Sequence, residues 1–458
     1  MRLSLDKLVN FWSKVSPESI AIQTPKRSVS YSELVSISNN ISCQQIEPEQ
    51  KYGIIIHDTI IYISLLLAMM RERRIFINLC SEIPQSELAE YLRSNKISSI
   101  ISDDQELLID HTIKSIDIKE LMISTCSDRE VEQSLDDIVG GFLSSGTTGI
   151  PTIYYRNQYS LISEAILWIM ELRLSQNKSF FISKPLSYIG SFVLLYSVLY
   201  SGGKVVLPDD YSSLLFPTDV MDFVFLTPFD IRNLLNSDIC MQCRNVITMG
   251  ASISASEKQL LSEHYNCNVF ESWGNSEGLA TITNLYEDPK CESVGRATFT
   301  DEIFILDANG EKLPADRIGI IAGITDNDTT SNAGQSLIIS EDVGFLDKNK
   351  RLHLIGRKDN VLIFSDNLYF STTDFESHIR ESIAVHEVAV LLINNKVFVF
   401  INPKSDSFDL AEVCDLFVSL YGNKSQDGRI IFERTIIVKD FKYNANGKMD
   451  YLYLQTMI

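Results

Sequence analysis

The sequence predicts an α/β protein with a large N-terminal domain of mixed and parallel sheets layered with helices. A small barrel-like β subdomain belongs to that domain, and a small α+β C-terminal domain follows it. Two observations carry this expectation. Apolar strand-like runs alternate with helical runs in two separate stretches, and after about Gly319 the texture changes to short alternating segments with turn residues. A chain of 458 residues with 45% apolar content can bury more than one core.

Residues 52–56, 60–71, 74–79, 86–94 and 97–102 read strand, helix, strand, helix, strand. The alternation returns at 245–249, a buried strand, and Ser254 with Glu257 then offers a capping box for a helix running to Tyr265. Residues 269–273 are the next strand. Such units build a parallel sheet covered by helices, with ligands at the carboxyl ends of its strands. Residues 337–340, 344–346 and 351–355 read as strands of a small antiparallel barrel or sheet. Gly356, Arg357, Lys358 and Asp359 punctuate the chain, and the last unit carries a helix over 373–382 and strands over 388–393 and 397–401. The domain boundary is therefore placed between 1–355 and 356–458.

Sixty acidic against forty basic side chains give a formal charge of -20, the wrong sign for tracking a phosphate backbone or an anionic lipid surface. Nucleic acid is not expected as a partner. Charges at Arg2, Asp6 and Lys7 interrupt the start, and the longest apolar stretches, such as 60–70, are too short to span a bilayer. A cytoplasmic protein is expected. The eight cysteines lack disulfide-framework spacing, and the pair Cys240 and Cys243 has no second pair or nearby histidine to complete a zinc site.

The most informative run is Phe142-Leu-Ser-Ser-Gly-Thr-Thr-Gly-Ile-Pro-Thr152, between two strand-like pieces. Glycines such as Gly146 and Gly149 let successive amides converge on one anion, and Ser144, Ser145, Thr147 and Thr148 add hydroxyl donors. A phosphate is the natural guest. The G-x-x-x-x-G-K-[ST] order and its following helix are missing, so this is not the loop of kinases and motor ATPases.

The residue order of this loop resembles the phosphate loop of the acyl-adenylate-forming, or AMP-binding, superfamily, which includes acyl-CoA synthetases, peptide-synthetase adenylation domains and luciferases. Further segments follow in family order. Glu271-Ser-Trp-Gly-Asn-Ser-Glu277 resembles the aromatic-Gly-x-Thr-Glu motif, which implies that Trp273 stacks on adenine beside Gly274 and Ser276, and that Glu277 holds magnesium. Thr248-Met-Gly-Ala-Ser252 is similar to the turn lying against adenine and the acyl pocket, which assigns Met249, Gly250 and Ala251. Ser340-Glu-Asp-Val-Gly and Gly356-Arg-Lys-Asp359 resemble a pair in which Asp342 accepts the ribose hydroxyls, Arg357 contacts sugar or phosphate, and Asp359 is the hinge of a mobile C-terminal domain. Asn444-Ala-Asn-Gly-Lys-Met-Asp450 resembles the terminal motif whose lysine, here Lys448, brings a cation to the reacting groups. Residues 17–22 and 29–34 resemble the usual opening of the large domain, so the resemblance covers almost the whole chain.

Three departures are visible. The loop continues Pro151-Thr152-Ile153 where the family has Pro-Lys-Gly, losing a charged donor. Ser365-Asp366-Asn367 replaces a Gly-Gly that lets pantetheine approach. Tyr188, in the substrate pocket, stands where many members carry a histidine or another aromatic residue, and no aspartate stands nearby to pair with an amino-acid ammonium.

The resemblance implies an ATP- and magnesium-dependent ligase that activates an aryl or acyl acid as its adenylate. The acceptor is the phosphopantetheine thiol of CoA or of an acyl or aryl carrier protein. Thr148, Glu277 and Lys448 are the expected catalytic residues. Two alternatives stay open: an enzyme that stops at the adenylate or uses an amine acceptor, and a degenerate member that only binds nucleotide or a carrier protein. The identity of the acid and the oligomeric state are not fixed by the sequence.

Overall fold

A computed structural model describes residues 4–43, 46–47, 50–79, 83, 85–104, 113–122, 134–143, 152–209, 211, 216–251, 253–275, 278–282, 293–297, 301–325, 336–364, 367–405, 408–425, 430–443 and 449–458. Two sheets dominate. One has seven strands in the order Asn268–Glu271, Cys243–Thr248, Met221–Leu226, Ser179–Ile182, Lys204–Val206, Ile20–Gln23 and Ser28–Ser30, parallel throughout except the last pair. The other has six, in the order Lys114–Asp117, Ser99–Ser102, Lys51–Ile55, Ile75–Asn78, Ile138–Leu143 and Ile153–Asn157, again parallel except the last pair.

One buried cluster joins the two sheets, and it runs through helices Thr59–Arg71, Gln158–Leu172 and Ile189–Tyr200. Nine residues in a row of Ile189–Tyr200, from Ser191 to Leu199, are buried. A helix apolar all round belongs between layers, and this one is accordingly enclosed. Phe142 marks the junction, edge-on to Phe76 at 6.1 Å and tilted against Phe192 at 4.7 Å.

The alternating stretches fold as expected, with shifts of a few residues: helix Thr59–Arg71, strand Ile75–Asn78, helix Gln85–Ser94, strand Cys243–Thr248 and strand Asn268–Glu271. Ser254 and Glu257 form the full capping box of helix Ala255–Tyr265. One expectation is corrected. Residues 337–340 and 344–346 are not separate strands but parts of one strand, Ser336–Leu346, with a register shift between Val343 and Gly344. Gly344 sits against a backbone, since a Cβ there would come within 2.3 Å of the His353 carbonyl oxygen. This strand lies third in a four-stranded antiparallel sheet with Asp301–Leu306, Gly319–Thr325 and Leu352–Arg357. A bridge from Arg296 to Arg351 curls the ladder Thr281–Ile282 and Arg296–Ala297 onto its far edge, giving a barrel-like unit around Trp273, Leu279 and Ile321.

After Leu352–Arg357 the chain makes one 3₁₀ turn, Lys358–Asn360, forms the two-stranded ladder Val361–Ile363 and Tyr369–Ser371, and after helix Thr372–Ser382 enters a separate three-stranded sheet, Val385–Ile393, Lys396–Pro403 and Ile431–Ile437. Helices Thr372–Ser382 and Ala411–Ser425 share one buried cluster with this sheet, and Tyr451–Gln455 contributes to another. Among the described residues, no helix is long and apolar enough to cross a membrane.

Phe142→Ala is expected to cost about 3–5 kcal/mol of stability, the usual penalty for deleting a fully buried phenylalanine. Chemical denaturation of the two proteins under one condition checks it.

Candidate active site

The carboxyl ends of the two large sheets meet. Asn78, the last residue of its strand and opposite Phe142, donates from Nδ2 to the Leu186 carbonyl at 3.4 Å, while its Oδ1 accepts the Tyr62 hydroxyl at 2.5 Å. The strand beside the one that leads into residues 144–149 is thereby tied to the segment carrying Tyr188. Ser144, Ser145, Gly146, Thr147, Thr148 and Gly149 lie outside the described residues. The strands that flank them pair antiparallel up to Leu143 opposite Ile153, and Thr152 is exposed.

Tyr188 precedes helix Ile189–Tyr200 and lies parallel to Phe225, at 6.3 Å and 7°. Two glycines make room for this arrangement. A Cβ on Gly190 would meet the Tyr188 ring at 2.8 Å and Met249 Sδ at 3.0 Å, and one on Gly250 would lie 3.1 Å from the Tyr188 hydroxyl. Gly250 also holds φ at +99°, a conformation that L side chains rarely adopt. Tyr188, Met249 and Gly250, named from the sequence as pocket residues, thus converge at the ends of three neighbouring strands, with Ala251 the next residue of the turn. Burial pushes the Tyr188 phenol up to about 12, so it is neutral near pH 7.

One strand further along, Ser272 N–H donates to the Thr248 carbonyl at 2.9 Å. Behind this point Lys258 Nζ donates to Glu271 Oε2 at 3.2 Å, and the Ile253 amide donates to the same carboxylate. Burial raises the Glu271 pKa against the pull of Lys258. The pair fixes the turn after Thr248 to the end of strand Asn268–Glu271.

Trp273 is only 7% exposed and packs in the barrel-like unit, where its Nε1–H donates to Asp342 Oδ2 at 2.9 Å. Asp342 pairs in register with Arg357 across adjacent strands, and its amide is held by Ser340 Oγ at 3.0 Å. Arg357 and Asp359 are both exposed. Gly274 bridges to Ala280, and Asn275 Oδ1 accepts the amides of Gly278 at 3.1 Å and Leu279 at 2.9 Å. Ser276 and Glu277 lie outside the described residues. The adenine and ribose candidates Trp273 and Asp342 are brought together, with the indole largely enclosed by the protein.

The sequence model of the AMP-binding enzyme family matches residues 10–323. The chain belongs to the AMP-binding enzyme family. A Staphylococcus haemolyticus protein named as a long chain fatty acid-CoA ligase, VraA, is 24% identical over 99% of this chain and 98% of its own. The 2-succinylbenzoate–CoA ligase of Haemophilus influenzae is 27% identical over 56% of each chain. ATP-bound MatB from Rhodopseudomonas palustris has the same fold, with a TM-score of 0.84 at 17% identity over 99% of both chains. The protein is an AMP-forming carboxylic acid ligase.

Several contacts of this AMP-binding enzyme near Tyr188 are not marked in the sequence. Asp230 is 2% exposed and accepts Lys184 Nζ at 2.7 Å, Thr227 N–H at 2.9 Å and Thr227 Oγ at 2.8 Å. Phe229, beside it, packs on Tyr443 with ring centroids 4.5 Å apart. Tyr443 bridges to Met449, so these two residues flank 444–448, and Lys448 lies outside the described residues. At the Gly-Gly replacement, Asn367 takes a glycine-like φ of +60° and accepts the Ile318 amide at 2.8 Å, while Ser365 and Asp366 are outside the described residues. Cys240 is exposed and Cys243 buried, both free, and among the described residues no group of three or more potential metal ligands occurs.

Trp273→Phe keeps a ring but removes the donor to Asp342. A hydrogen bond to a charged group is worth about 1.5–3 kcal/mol, so stability is expected to fall by that order, read by chemical denaturation.

Proposed function

We propose that this ligase uses ATP and magnesium to activate an aryl or acyl carboxylic acid and passes the acyl group to the thiol of coenzyme A or of a carrier-protein phosphopantetheine. The observation that carries this reading is the placing of the Tyr188–Met249–Gly250 corner and the Trp273–Asp342 bond around neighbouring strand ends. Parallel strands lie about 5 Å apart, so an acid in the first and a nucleoside at the second fall within one acyl-adenylate of each other.

Asp342 and Arg357 would take the ribose, and the indole of Trp273 would lie against the adenine beside Gly250, Ala251 and Gly274. The hydroxyls and amides of 144–149, Thr148 among them, would hold the phosphates, with Ser276 nearby. The acid's carboxylate oxygen attacks the α-phosphorus, the bond to the bridging oxygen breaks, and pyrophosphate leaves with the electron pair. Lys448 stabilises the charge that builds there. Magnesium, when bound, neutralises phosphate oxygens. The turn held by Asn275 would present Glu277 as its one hard oxygen ligand, a donor set that suits this ion. The 356–458 domain then turns about Asp359, the thiol sulfur attacks the acyl carbon, and AMP departs.

The acid is read as aryl or acyl rather than an α-amino acid. The pocket corner is built from Tyr188, Phe225 and Met249, and Asp230, the carboxylate bonded into the neighbouring segment, is already matched by Lys184. Thr152 in place of a lysine weakens the hold on the leaving pyrophosphate.

Pyrophosphate release across benzoate, butyrate, octanoate, palmitate and D-alanine tests the reading: an aryl or acyl acid is expected to turn over, and binding of ATP with no release from any acid sinks it. Lys448→Ala is expected to slow acid-dependent pyrophosphate exchange by about 10²-fold, the scale of losing one charge-stabilising donor, while thioester formation from a supplied acyl-adenylate stays within a few-fold.

A further inference from the structure

Tyr443 and its partners form a contact between the middle of the chain and its C-terminal part that the reaction as described does not use. The ring packs on Phe229 at 4.5 Å and 48°. Its hydroxyl donates to Glu387 Oε2 at 2.6 Å. Both partners are themselves fixed. Phe229 is the second residue of helix Pro228–Leu235, whose N-terminus is closed by the Thr227–Asp230 capping box, and Lys184 Nζ lies 5.9 Å from its ring centroid on the same buried ion pair. Glu387 Oε1 accepts Arg380 Nη2 at 2.9 Å, and Arg380 also faces Glu376 at 3.7 Å. Against the upward push of burial, Arg380 and the Tyr443 hydroxyl hold the Glu387 carboxyl below its usual range.

The charges continue across to the large domain. Arg232 Nε donates to Glu257 Oε1 at 2.6 Å, Arg380 adds its field to Glu257, and Ser256 Oγ donates to Glu381 Oε1 at 2.7 Å. Within this contact Tyr443 is the residue that leads directly into 444–448. Phe229 follows the carboxyl end of strand Met221–Leu226, next to the strand that supplies Met249 and Gly250. The Tyr443 ring is therefore docked beside that strand end.

We propose that Tyr443 is a positioning residue for the adenylate-forming step, its ring clamped on Phe229 and its hydroxyl on Glu387 so that Lys448 is delivered to the strand edge where the acid and the α-phosphate meet. This rests on the role given to Lys448 above. Once the C-terminal domain turns for thioester formation, the clamp opens and Tyr443 has no further part.

The decisive experiment is a double-mutant cycle on pyrophosphate exchange with benzoate and octanoate as probe acids. Tyr443→Ala in the native background is expected to lose about tenfold or more, the scale of one aromatic contact and one charge-assisted hydrogen bond, and Tyr443→Phe about half of that on a logarithmic scale. In a Lys448→Ala background Tyr443→Ala should add less than about twofold, because a positioning residue has nothing left to position. Thioester formation from octanoyl-adenylate and coenzyme A should stay within about twofold in every variant. An acid-independent reading uses ATP–magnesium alone: it is expected to slow tryptic cleavage after Lys448 in the native protein and in Tyr443→Phe but not in Tyr443→Ala. Equal losses from Tyr443→Ala in both backgrounds, equal losses in both half-reactions, or unchanged protection overturn the proposal. If Lys448→Ala alone leaves exchange intact, the fault lies instead with the role of Lys448.

Discussion

One hydrogen bond, from the indole of Trp273 to the carboxylate of Asp342, joins two sheets that share no strand. Each end is set by its own framework. Ser272 is anchored to Thr248, which fixes where Trp273 leaves the large sheet, and Asp342 is oriented by its pairing with Arg357 and by Ser340. A buried indole N–H without an acceptor would be penalised by its full desolvation, so the bond selects one placement of the barrel-like unit against the strand ends. The cleft read here as the nucleotide site follows from that placement.

Two buried ion pairs stand behind the same edge. Lys258 with Glu271 steadies the turn after Thr248, and Lys184 with Asp230 steadies the segment leading to Tyr188. Pairs of this kind return little net stability, because removing two charges from water offsets much of their attraction. What they contribute here is position, since each binds a helix to the loop at the end of a different strand.

The sequence was most legible where local pattern and chemistry coincide. The strand and helix alternation of 52–102 and the capping box at Ser254 need only near neighbours, and both appear nearly as read. The single strand Ser336–Leu346 was divided at 341–343, where the polar Glu341 and Asp342 interrupt the apolar run, whereas Asp342 and Val343 are paired in the ladder and Gly344 approaches the His353 backbone closely. Tyr188, Met249 and Gly250 could be named because their motifs are compact. Phe225, Phe229 and Tyr443 could not, since Phe225 stacks on Tyr188 and Phe229 on Tyr443, 37 and 214 residues away, and Asp230, capped locally by Thr227, meets Lys184 46 residues away. An ordinary apolar strand and an acidic helix start carry no mark of such long-range company.

Lys184 and Tyr188 are four residues apart on one short segment, yet one braces the Phe229 ring through Asp230 and the other stacks on Phe225. A substitution that repacks Tyr188 therefore also tugs on the ring against which Tyr443 rests. On the function proposed above, a change of acid preference calls for a compensating change on the far side of Phe229.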